Sequence, residues 1–546
     1  MRKHLVVALV VVGSLALPAL AATPPFGGIQ VLSPRSHQIF QPVVAMDDSG
    51  NASAFWNYAS TSHIGMKVAD RVVGEGFAPA YTLPSPGSNQ VADPAIAMSP
   101  NGTTAVVWID QIGDNVVLLG NYREPGGDWG TRQVISNPMN DQDSFSSPHV
   151  AVSDSGRVVV TYWHYLEDQS HNIEAVLSDA SGTFGTPQVL DNRMGTESVG
   201  NFGPNAGVDA VGNAMILWER FDDAATDPRT FVTYALAGAT GTTFGSPVQL
   251  AETDQDGIDP RLAVNPSGVA VAIWIQAFPT DSDSYMNSAR GTAATGLTAL
   301  GTVPGSRPDW IDLALDEDGN AIAARRGVTF GPTQERIDAS VLTTGATAWG
   351  AAQVLDTNAD TDGSLETSDE TLDVAAADGG GIVAWAREDP FDYMPARIAV
   401  LDPTTHLFEA KVAITSLAAQ VDRLRVDMNP AGDVVLVWRD DYRVYSLGTW
   451  AAPANGTLTV DVSPRKQLLV SGSLSPDDPG AKVAVTLYRK RTGSFRKITT
   501  KNATLNSSSD YNVSFSAPNP GTCKVKAVFA GDGLVQADSA TKTFTC

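Results

Sequence analysis

The sequence predicts an all-β protein, an eight-bladed β-propeller that an N-terminal strand closes and that an immunoglobulin-like β-sandwich follows. Three observations lead to this prediction. A two-part unit recurs eight times between residues 26 and 446. The composition, with 49 Gly, 33 Pro and 18% charged residues, is typical of an all-β protein with many turns. Residues 455–546 leave the repeat and change the sign of the charge.

The N-terminus has the parts of a secretory signal peptide. Arg2 and Lys3 precede an apolar run, residues 5–17, and Ala19-Leu20-Ala21 follows as a small-residue cleavage region. An N-terminal membrane anchor, the alternative, would need ~20 apolar residues to span the bilayer. We therefore expect cleavage near Ala22 and a secreted or cell-surface location. The predicted organisation is signal peptide 1–22, propeller 23–450, linker 451–455 and sandwich 456–546.

The first half of the unit is Pro-x-Val-Ala, a polar turn, a Gly and an apolar strand that ends in Trp. Its strand at residues 214–218 is apolar on both faces, which predicts a sheet packed between two neighbours. An Asp, Asn or Ser stands three residues before the Gly in seven copies, and this recurrence indicates a tight turn rather than a metal ligand. The paired positions are Gly50–Trp56, Gly102–Trp108, Gly156–Tyr162, Gly212–Trp218, Gly268–Trp274, Gly319–Arg325, Gly379–Trp385 and Gly432–Trp438.

The second half of the unit is a strand of the form aromatic-Gly-x-Pro-x-x-Leu, as in Phe184–Leu190 and Phe244–Leu250. A copy at Phe26–Leu32 precedes the first Pro-x-Val-Ala half, and none follows Trp438. We therefore predict that residues 26–32 supply the outer strand of the last blade and close the ring. The spacing of the units suits four short antiparallel strands, the size of one blade. Seven blades are the alternative, if the fifth or sixth unit is degenerate.

The unit resembles the repeat of secreted bacterial β-propeller proteins, written Pro-x-Val-Ala, Asp-x-x-Gly-Asn-Ala, Trp and Phe-Gly-x-Pro-x-x-Leu. The resemblance covers residues 26–446 and implies the fold but no particular activity. Two other propeller signatures do not match the sequence. A sialidase Asp-box has its Gly and aromatic residue three positions apart rather than six, and quinoprotein dehydrogenases carry an adjacent Cys pair that this sequence lacks.

The C-terminal region contains seven short alternating strands, which predict an immunoglobulin-like sandwich. The stretch Gly521–Asp532 resembles the penultimate strand of bacterial immunoglobulin-like surface modules. Cys523 and Cys546 lie at the outer ends of the last two strands, and in an exported chain we expect them to form a disulfide. A metal site or a nucleophilic thiol is the alternative.

Charge is distributed unevenly between the two regions. The whole chain carries a formal net charge of -24, whereas residues 455–546 hold twelve basic and six acidic residues. The acidic body excludes nucleic acid as an expected partner and favours cationic groups. We expect the basic domain either to bind an anionic cell-wall polymer or to dock on the propeller, with a solvated edge strand as the alternative. Its basic side chains crowd one hairpin, at Arg489, Lys490, Arg491, Arg496, Lys497 and Lys501.

Four arginines form the candidate ligand-binding set. Each follows the second strand of its unit, where propeller loops gather on one face. Arginine suits an anionic ligand because its planar guanidinium binds carboxylates through two hydrogen bonds. The alternative is pairing with acidic neighbours on a solvated rim. The four residues are Arg220, Arg326, Arg387 and Arg439.

A loop between the sixth and seventh units has the oxygen-donor spacing of a calcium site, with a Gly at its sixth position. Its last position is Asp rather than Glu, and strands rather than helices flank it. A shorter echo, Glu252-x-Asp254-x-Asp256-Gly257, lies between the fourth and fifth units. Calcium is the one cofactor we expect, and simple solvation of the acidic loops is the alternative. The ligands would be Asn358, Asp360, Asp362, Glu366 and Asp369.

No catalytic signature stands out in the sequence, because the histidines are scattered and acidic residues are too abundant for any one pair to be informative. The favoured interpretation is a secreted or cell-surface binding propeller that recognises an extracellular glycan or protein without catalysis. The alternative is a glycan-acting enzyme, sialidase-like or another glycoside hydrolase, with its site on the loop face. A structural component of the cell envelope is the second alternative. No membrane span is expected in the mature chain.

Overall fold

The computed structural model shows an all-β chain, and its described residues contain forty β-strands and no helix. Within those residues, then, nothing helical is long and apolar enough to cross a membrane. The predicted signal peptide lies outside them. The structure describes residues 26–33, 38–60, 64–83, 91–136, 144–167, 170–193, 203–222, 229–250, 256–277, 284–329, 334–357, 371–388, 393–416, 419–440, 442–449, 457–464, 467–475, 482–506, 510–516, 518–529 and 538–546.

Eight groups of four strands make up the repeat region. The strands are β1 (Gln30–Val31), β2 (Gln38–Met46), β3 (Ala52–Ala59), β4 (Ile64–Arg71), β5 (Tyr81–Leu83), β6 (Val91–Met98), β7 (Thr104–Ile112), β8 (Asn115–Arg123), β9 (Gln133–Val134), β10 (Ser144–Val152), β11 (Val158–Tyr165), β12 (His171–Leu177), β13 (Gln188–Arg193), β14 (Asn205–Val208), β15 (Ala214–Asp222), β16 (Arg229–Ala237), β17 (Val248–Gln249), β18 (Asp256–Val264), β19 (Val269–Ala277), β20 (Ser284–Thr292), β21 (Gly296–Val303), β22 (Arg307–Leu315), β23 (Ala321–Thr329), β24 (Gln334–Leu342), β25 (Gln353–Thr357), β26 (Leu372–Ala377), β27 (Gly380–Ala386), β28 (Ala396–Leu401), β29 (Val412–Ala413), β30 (Val421–Met428), β31 (Val434–Asp440) and β32 (Arg443–Gly448).

Each group forms one antiparallel sheet in chain order, from β2-β3-β4-β5, sheet 1, to β26-β27-β28-β29, sheet 7. Sheet 8 consists of β30, β31 and β32, and β1 completes it from the other end of the chain. Gln30 pairs with Ser446 and Val31 with Tyr445, which confirms the predicted pairing of the N-terminal strand. Repeated four-stranded sheets of this kind fit a β-propeller.

The first strands of the sheets contact one another in sequence around a centre. Each first strand contacts that of the next sheet, and β30 of sheet 8 contacts β2 of sheet 1. The apolar cores lie between neighbouring sheets. One of them joins Trp163 of sheet 3 to Trp218 of sheet 4, and another joins Val437 of sheet 8 to Trp56 of sheet 1. The ring is therefore closed by packing as well as by hydrogen bonding.

The sequence pattern explains the local structure. The five residues Ala214–Trp218 are fully buried, as expected for a strand with a neighbouring sheet on each face. The turn before this strand begins at Asp209, whose Oδ1 accepts hydrogen bonds from the backbone N–H groups of Gly212 and Asn213 at 2.8 and 2.7 Å. Gly212 has a φ of 100°, a conformation that side chains disfavour. The recurring Asp-x-x-Gly is thus a turn motif, as predicted.

The C-terminal region forms two further sheets. One contains β33 (Thr457–Leu458), β34 (Asp461–Pro464), β35 (Gln467–Ser475) and β38 (Asp510–Ser516), and the other contains β36 (Lys482–Arg491), β37 (Ser494–Thr504), β39 (Thr522–Phe529) and β40 (Asp538–Thr545). A shared core that includes Leu468, Val485, Tyr511 and Val525 lies between them. Cys523 and Cys546 form the predicted disulfide, with their Cα atoms 5.7 Å apart.

Candidate functional site

The first strands carry backbone irregularities where they line the centre of the ring. The register shifts within six of the described first strands, as at Ser146/His149 in β10 and Ile258/Arg261 in β18. Ser147 and Asp259 have φ values of 49° and 53°, which is the left-handed region that non-glycine residues avoid. Bulges and strained residues of this kind are concentrated at functional sites, where they direct side chains. Similar values occur at Asp93 and Arg423.

One position of each first strand lies at or shortly after the place where the register shifts in those six strands. We call it the ring position and define it as the residue paired with the one that precedes the Trp position of the second strand. It is apolar in sheets 1 and 2 and polar or charged in the other six. The ring positions are Val43, Ala95, His149, Asn205, Arg261, Asp312, Asp373 and Arg425.

Three ring-position side chains make the same hydrogen bond to the following sheet. The backbone N–H of Val374 donates to Oδ2 of Asp312 at 2.9 Å, and that of Val426 donates to Oδ2 of Asp373 at 2.6 Å. The backbone N–H of Ala206 donates to Nδ1 of His149 at 3.2 Å. Because the acceptors come from one sheet and the donors from the next, these side chains connect neighbouring sheets by hydrogen bonds.

Asp312 and Asp373 form a coupled pair of carboxyl groups with different surroundings. Burial and the neighbouring Asp312 raise the pKa of Asp373 well above its usual range. Burial also raises the pKa of Asp312, but Arg261 opposes the shift, with Nε 4.0 Å from Oδ1. Carboxyl groups that lie close together cannot both ionise freely, so one retains its proton more strongly. The arrangement therefore favours retention of a proton on Asp373 over its retention on Asp312.

Other titratable groups near this pair are also shifted. Burial raises the pKa of Asp259 to about 6, although Arg261 opposes the shift. Burial and Arg261 lower the pKa of His149 to about 4, so its ring is neutral at physiological pH. Clusters of groups with shifted pKa values are typical of active sites, where proton transfer must occur near neutral pH.

A cavity of about 370 Å³ opens beside these groups. Arg261 and Asp312 remain 15% and 19% exposed, so both are accessible from it. The guanidinium of Arg261 lies 5.8 Å from the ring centroid of Trp310, which gives the wall an aromatic surface. Asp373 lies on sheet 7, whose neighbours are sheet 6, which carries Asp312, and sheet 8, which carries Arg425. The lining includes Ser147, His149, Asn205, Arg261, Trp310, Asp312 and Arg425.

A second cavity, of about 240 Å³, lies at the turns that follow the first strands. Burial and the carboxylates of Glu317 and Asp154 raise the pKa of Asp48 there to about 7. Asp427 borders the same cavity, and its Oδ2 accepts a 2.8 Å hydrogen bond from the backbone N–H of Met46. The part of the chain that the structure describes contains no group of three His, Cys, Asp or Glu residues placed to hold a metal ion.

The four arginines predicted to bind ligand are all placed beside carboxylates. Arg326 pairs with Asp309 at 3.0 Å and Arg387 with Asp356 at 3.1 Å. Arg220 lies 3.7 Å from Asp191, and Arg439 pairs with Asp422. The structure therefore does not gather them around one free space, and their role in ligand binding stays a prediction.

The predicted calcium ligands Asn358, Asp360, Asp362, Glu366 and Asp369 lie outside the described residues, and calcium binding stays a prediction. Glu252 and Asp254 of the shorter loop also lie outside them. Asp256 is described, and its Oδ1 accepts a 2.8 Å hydrogen bond from the backbone N–H of Thr230.

The sequence interpretation missed the ring positions, although the repeat contains a signal for them. They are the variable second residue of Pro-x-Val-Ala or its counterpart, and this residue is apolar in the first two units. A His, Arg or Asp inside an otherwise apolar strand indicates a side chain that needs a hydrogen-bonding or charged partner. Alignment of the eight units against each other would have identified Asp312 and Asp373.

Comparisons with known proteins give structural neighbours only. No family model and no curated protein sequence matches the chain. An α-L-arabinanase from Penicillium chrysogenum is 12% identical with a TM-score of 0.34, and the match covers 59% of this chain and 99% of the enzyme. A sialidase from Streptococcus pneumoniae is 10% identical with a TM-score of 0.35, over 77% of this chain and 94% of the sialidase. An α-L-arabinofuranosidase from Fusarium graminearum is 12% identical with a TM-score of 0.35, over 58% and 98%.

These likenesses concern the class of fold, an all-β chain of repeated four-stranded sheets. They contradict the interpretation that the propeller binds an extracellular ligand without catalysis, because the neighbours are enzymes that act on glycans. That interpretation is wrong, and the alternative of a glycan-acting enzyme agrees better with the comparisons.

Proposed function

We propose that this chain is a secreted glycoside hydrolase built on an eight-bladed β-propeller, with an immunoglobulin-like sandwich as its C-terminal domain. Eight four-stranded sheets whose first strands contact one another in a closed order support the blade number. Two packed antiparallel sheets with a single core support the sandwich. The N-terminal sequence supports export.

The observation that carries the enzymatic proposal is the interacting carboxyl pair Asp312 and Asp373, of which Asp312 lines an open cavity. Glycoside hydrolysis requires one carboxylic acid to protonate the leaving oxygen and one carboxylate to act as base or nucleophile. The two groups lie at the ring positions of adjacent blades, and the pKa of both is raised, that of Asp373 well above its usual range. We assign Asp373 as the general acid and Asp312 as the carboxylate that activates water or stabilises positive charge on the sugar.

The surrounding residues suit a glycan substrate. Trp310 presents an aromatic ring on which the apolar face of a sugar can stack. The positive charge of Arg261 opposes the rise in the pKa of Asp312, and Asn205 and His149 provide hydrogen-bonding groups in the same wall. The hydrogen bonds from Val374 and Val426 fix both carboxyl groups, which a catalytic pair requires for correct geometry.

A panel of nitrophenyl glycosides and plant and bacterial polysaccharides tests this proposal with the full-length mature protein. We expect hydrolysis of at least one member, measured as released nitrophenol or reducing sugar. Asp312→Asn and Asp373→Asn should each lower the rate by about 10²–10⁴-fold, as expected when a general acid or base is removed.

Asp427→Asn is the matched control. Asp427 is also a buried carboxyl group on a first strand that accepts a backbone N–H from the next sheet, but it borders the other cavity. This variant should retain the wild-type rate. Equal losses in all three variants, or hydrolysis at the wild-type rate by Asp312→Asn and Asp373→Asn, would contradict the proposal, as would a failure to hydrolyse any member.

A further inference from the structure

The two sheets of the C-terminal domain differ in charge. Strands β36, β37, β39 and β40 contain ten Lys or Arg residues and one acidic residue, Asp538. Strands β33, β34, β35 and β38 contain no Lys or Arg and two acidic residues, Asp461 and Asp510. The positive charge of the domain is therefore carried by one sheet rather than spread around the sandwich.

The outer surface of the positive sheet is defined by strand pairing. Tyr488 of β36 lies between Lys497 of β37 and Lys524 of β39, and the next outward residue of β36, Lys490, pairs with Phe495. Residues paired across a sheet share a face, and the opposite face, with Val485 and Val525, is buried in the core. We call this outer surface the basic face and define it as Tyr488, Lys490, Phe495, Lys497, Lys524 and Lys526.

Two aromatic rings hold the central lysine of the basic face. Nζ of Lys524 lies 4.9 Å from the ring centroid of Tyr488 and 4.8 Å from that of Phe495. Such cation–π contacts restrict the lysine side chain and keep its charge at the surface. Hydroxyl groups continue the face, as at Thr486 and Thr500, whose side chains are 2.9 Å apart. The surface thus combines fixed positive charge, half-buried aromatic rings and hydroxyl groups.

We infer that the basic face is a binding site for an anionic polysaccharide, a chain of sugars that carry carboxylate or sulfate groups. Lysines bind such groups as point charges without a fixed geometry, which suits a polymer of variable conformation. The aromatic rings provide an apolar surface for sugar rings, which a simple polyanion would not use. This binding site is separate from the propeller cavity and does not depend on the proposed hydrolase activity.

Charge complementarity favours this occupant because the described strands of the positive sheet place nine more positive than negative residues on one layer. The propeller carries the opposite charge, so its own surface repels the same polymer. Binding of an acidic glycan would therefore be localised at the basic face. Docking of this face on the acidic propeller is the competing arrangement that the experiment must separate.

Affinity electrophoresis of the full-length mature protein in gels with sodium polygalacturonate, dextran or polyphosphate tests the inference. We expect polygalacturonate to retard the protein and neutral dextran to leave it unretarded. The retardation should weaken as salt rises from about 0.05 to 0.5 M, because the Debye length shortens several-fold in that range. The double variant Lys497→Gln/Lys524→Gln should lose about tenfold in affinity, because it removes two positive charges from the basic face.

The control double variant is Lys501→Gln/Lys542→Gln, which removes the same charge from the same sheet. Lys501 donates to the backbone oxygen of Ser514 and Lys542 pairs with Asp461, so both turn toward the other sheet. This variant should keep its affinity for polygalacturonate. Tyr488→Ala should weaken binding to polygalacturonate but not to polyphosphate, because only the first offers sugar rings.

Three results would overturn the inference. Equal losses in the two double variants would show that only net charge matters. Equal retardation by dextran would remove the requirement for an anionic partner. An absence of retardation by polygalacturonate would overturn the inference as well, and a larger hydrodynamic radius for Lys497→Gln/Lys524→Gln would then show that the basic face docks on the acidic propeller.

Discussion

Carboxyl groups at the centre of the ring combine two tasks. Asp312 and Asp373 each use one oxygen to accept a backbone N–H from the next sheet. Asn can replace either residue and still accept that hydrogen bond, so the structural task and the chemical task can be separated by substitution. Asp427 makes the same kind of hydrogen bond to the next sheet, and no cationic side chain shifts its pKa.

Asp427 gives a prediction for the pH dependence of stability. Burial raises its pKa from an ordinary value of 3.8 to about 6. Between these values the folded chain binds a proton that the unfolded chain does not, so the free energy of unfolding falls as pH rises through this range. Thermal melts from pH 4 to pH 8 should show that the melting temperature of wild type, relative to that of Asp427→Asn, decreases as pH rises through this range. A difference between the two proteins that does not change with pH would show that this carboxyl group is not held as described.

Outer strands connect neighbouring sheets through a recurring glutamine. Nε2 of Gln188 donates to the backbone oxygen of Phe244 at 3.0 Å, and the backbone N–H of Phe244 donates to Oε1 of Gln188 at 2.7 Å. Gln30 of the N-terminal strand makes the same pair of bonds to Phe77, at 2.6 and 2.8 Å. The N-terminal strand therefore both completes sheet 8 and connects it to sheet 1.

Replacement of this glutamine should destabilise the ring locally. Gln188→Ala removes two hydrogen bonds at about 1 kcal/mol each, so we expect a loss of about 2 kcal/mol in the free energy of unfolding measured by urea denaturation. The control is Gln249→Ala. Gln249 lies in the outer strand of the next sheet, one position later in its repeat unit than Gln188, and its side chain is exposed. A smaller effect at Gln188 than at Gln249 would contradict the role of the glutamine as a connection between sheets.

The elements were more predictable than the site. The Gly-to-Trp spacing predicted the turns and buried strands because both depend on local sequence, and Phe26–Leu32 stood out as a half unit without its partner. Asp312 and Asp373 could not be recognised in this way, because they come together only when sheets 6 and 7 pack. The pairing of Arg387 with Asp356 was likewise invisible, since Asp356 lies in the preceding sheet.

At the scale of the whole molecule, a closed ring with a charged centre is joined to a domain with one positive sheet. Closure holds the ring positions of adjacent sheets at fixed distances, which allows two carboxyl groups from different sheets to act as one unit. In the proposed mechanism, Asp373 donates the proton that glycoside cleavage requires. A general acid matters most when the leaving group is a poor one.

The most direct test is therefore the dependence of Asp373→Asn on the leaving group. For a glycoside that the wild type hydrolyses, we predict that kcat/KM of the variant falls by about 10²–10⁴-fold with an unactivated alkyl leaving group. With a dinitrophenyl leaving group, which departs without protonation, kcat/KM should stay within about tenfold of wild type. The alkaline limb of the pH profile should also disappear in the variant. An equal loss on both substrates, or an unchanged alkaline limb, would contradict the assignment of Asp373 as the general acid.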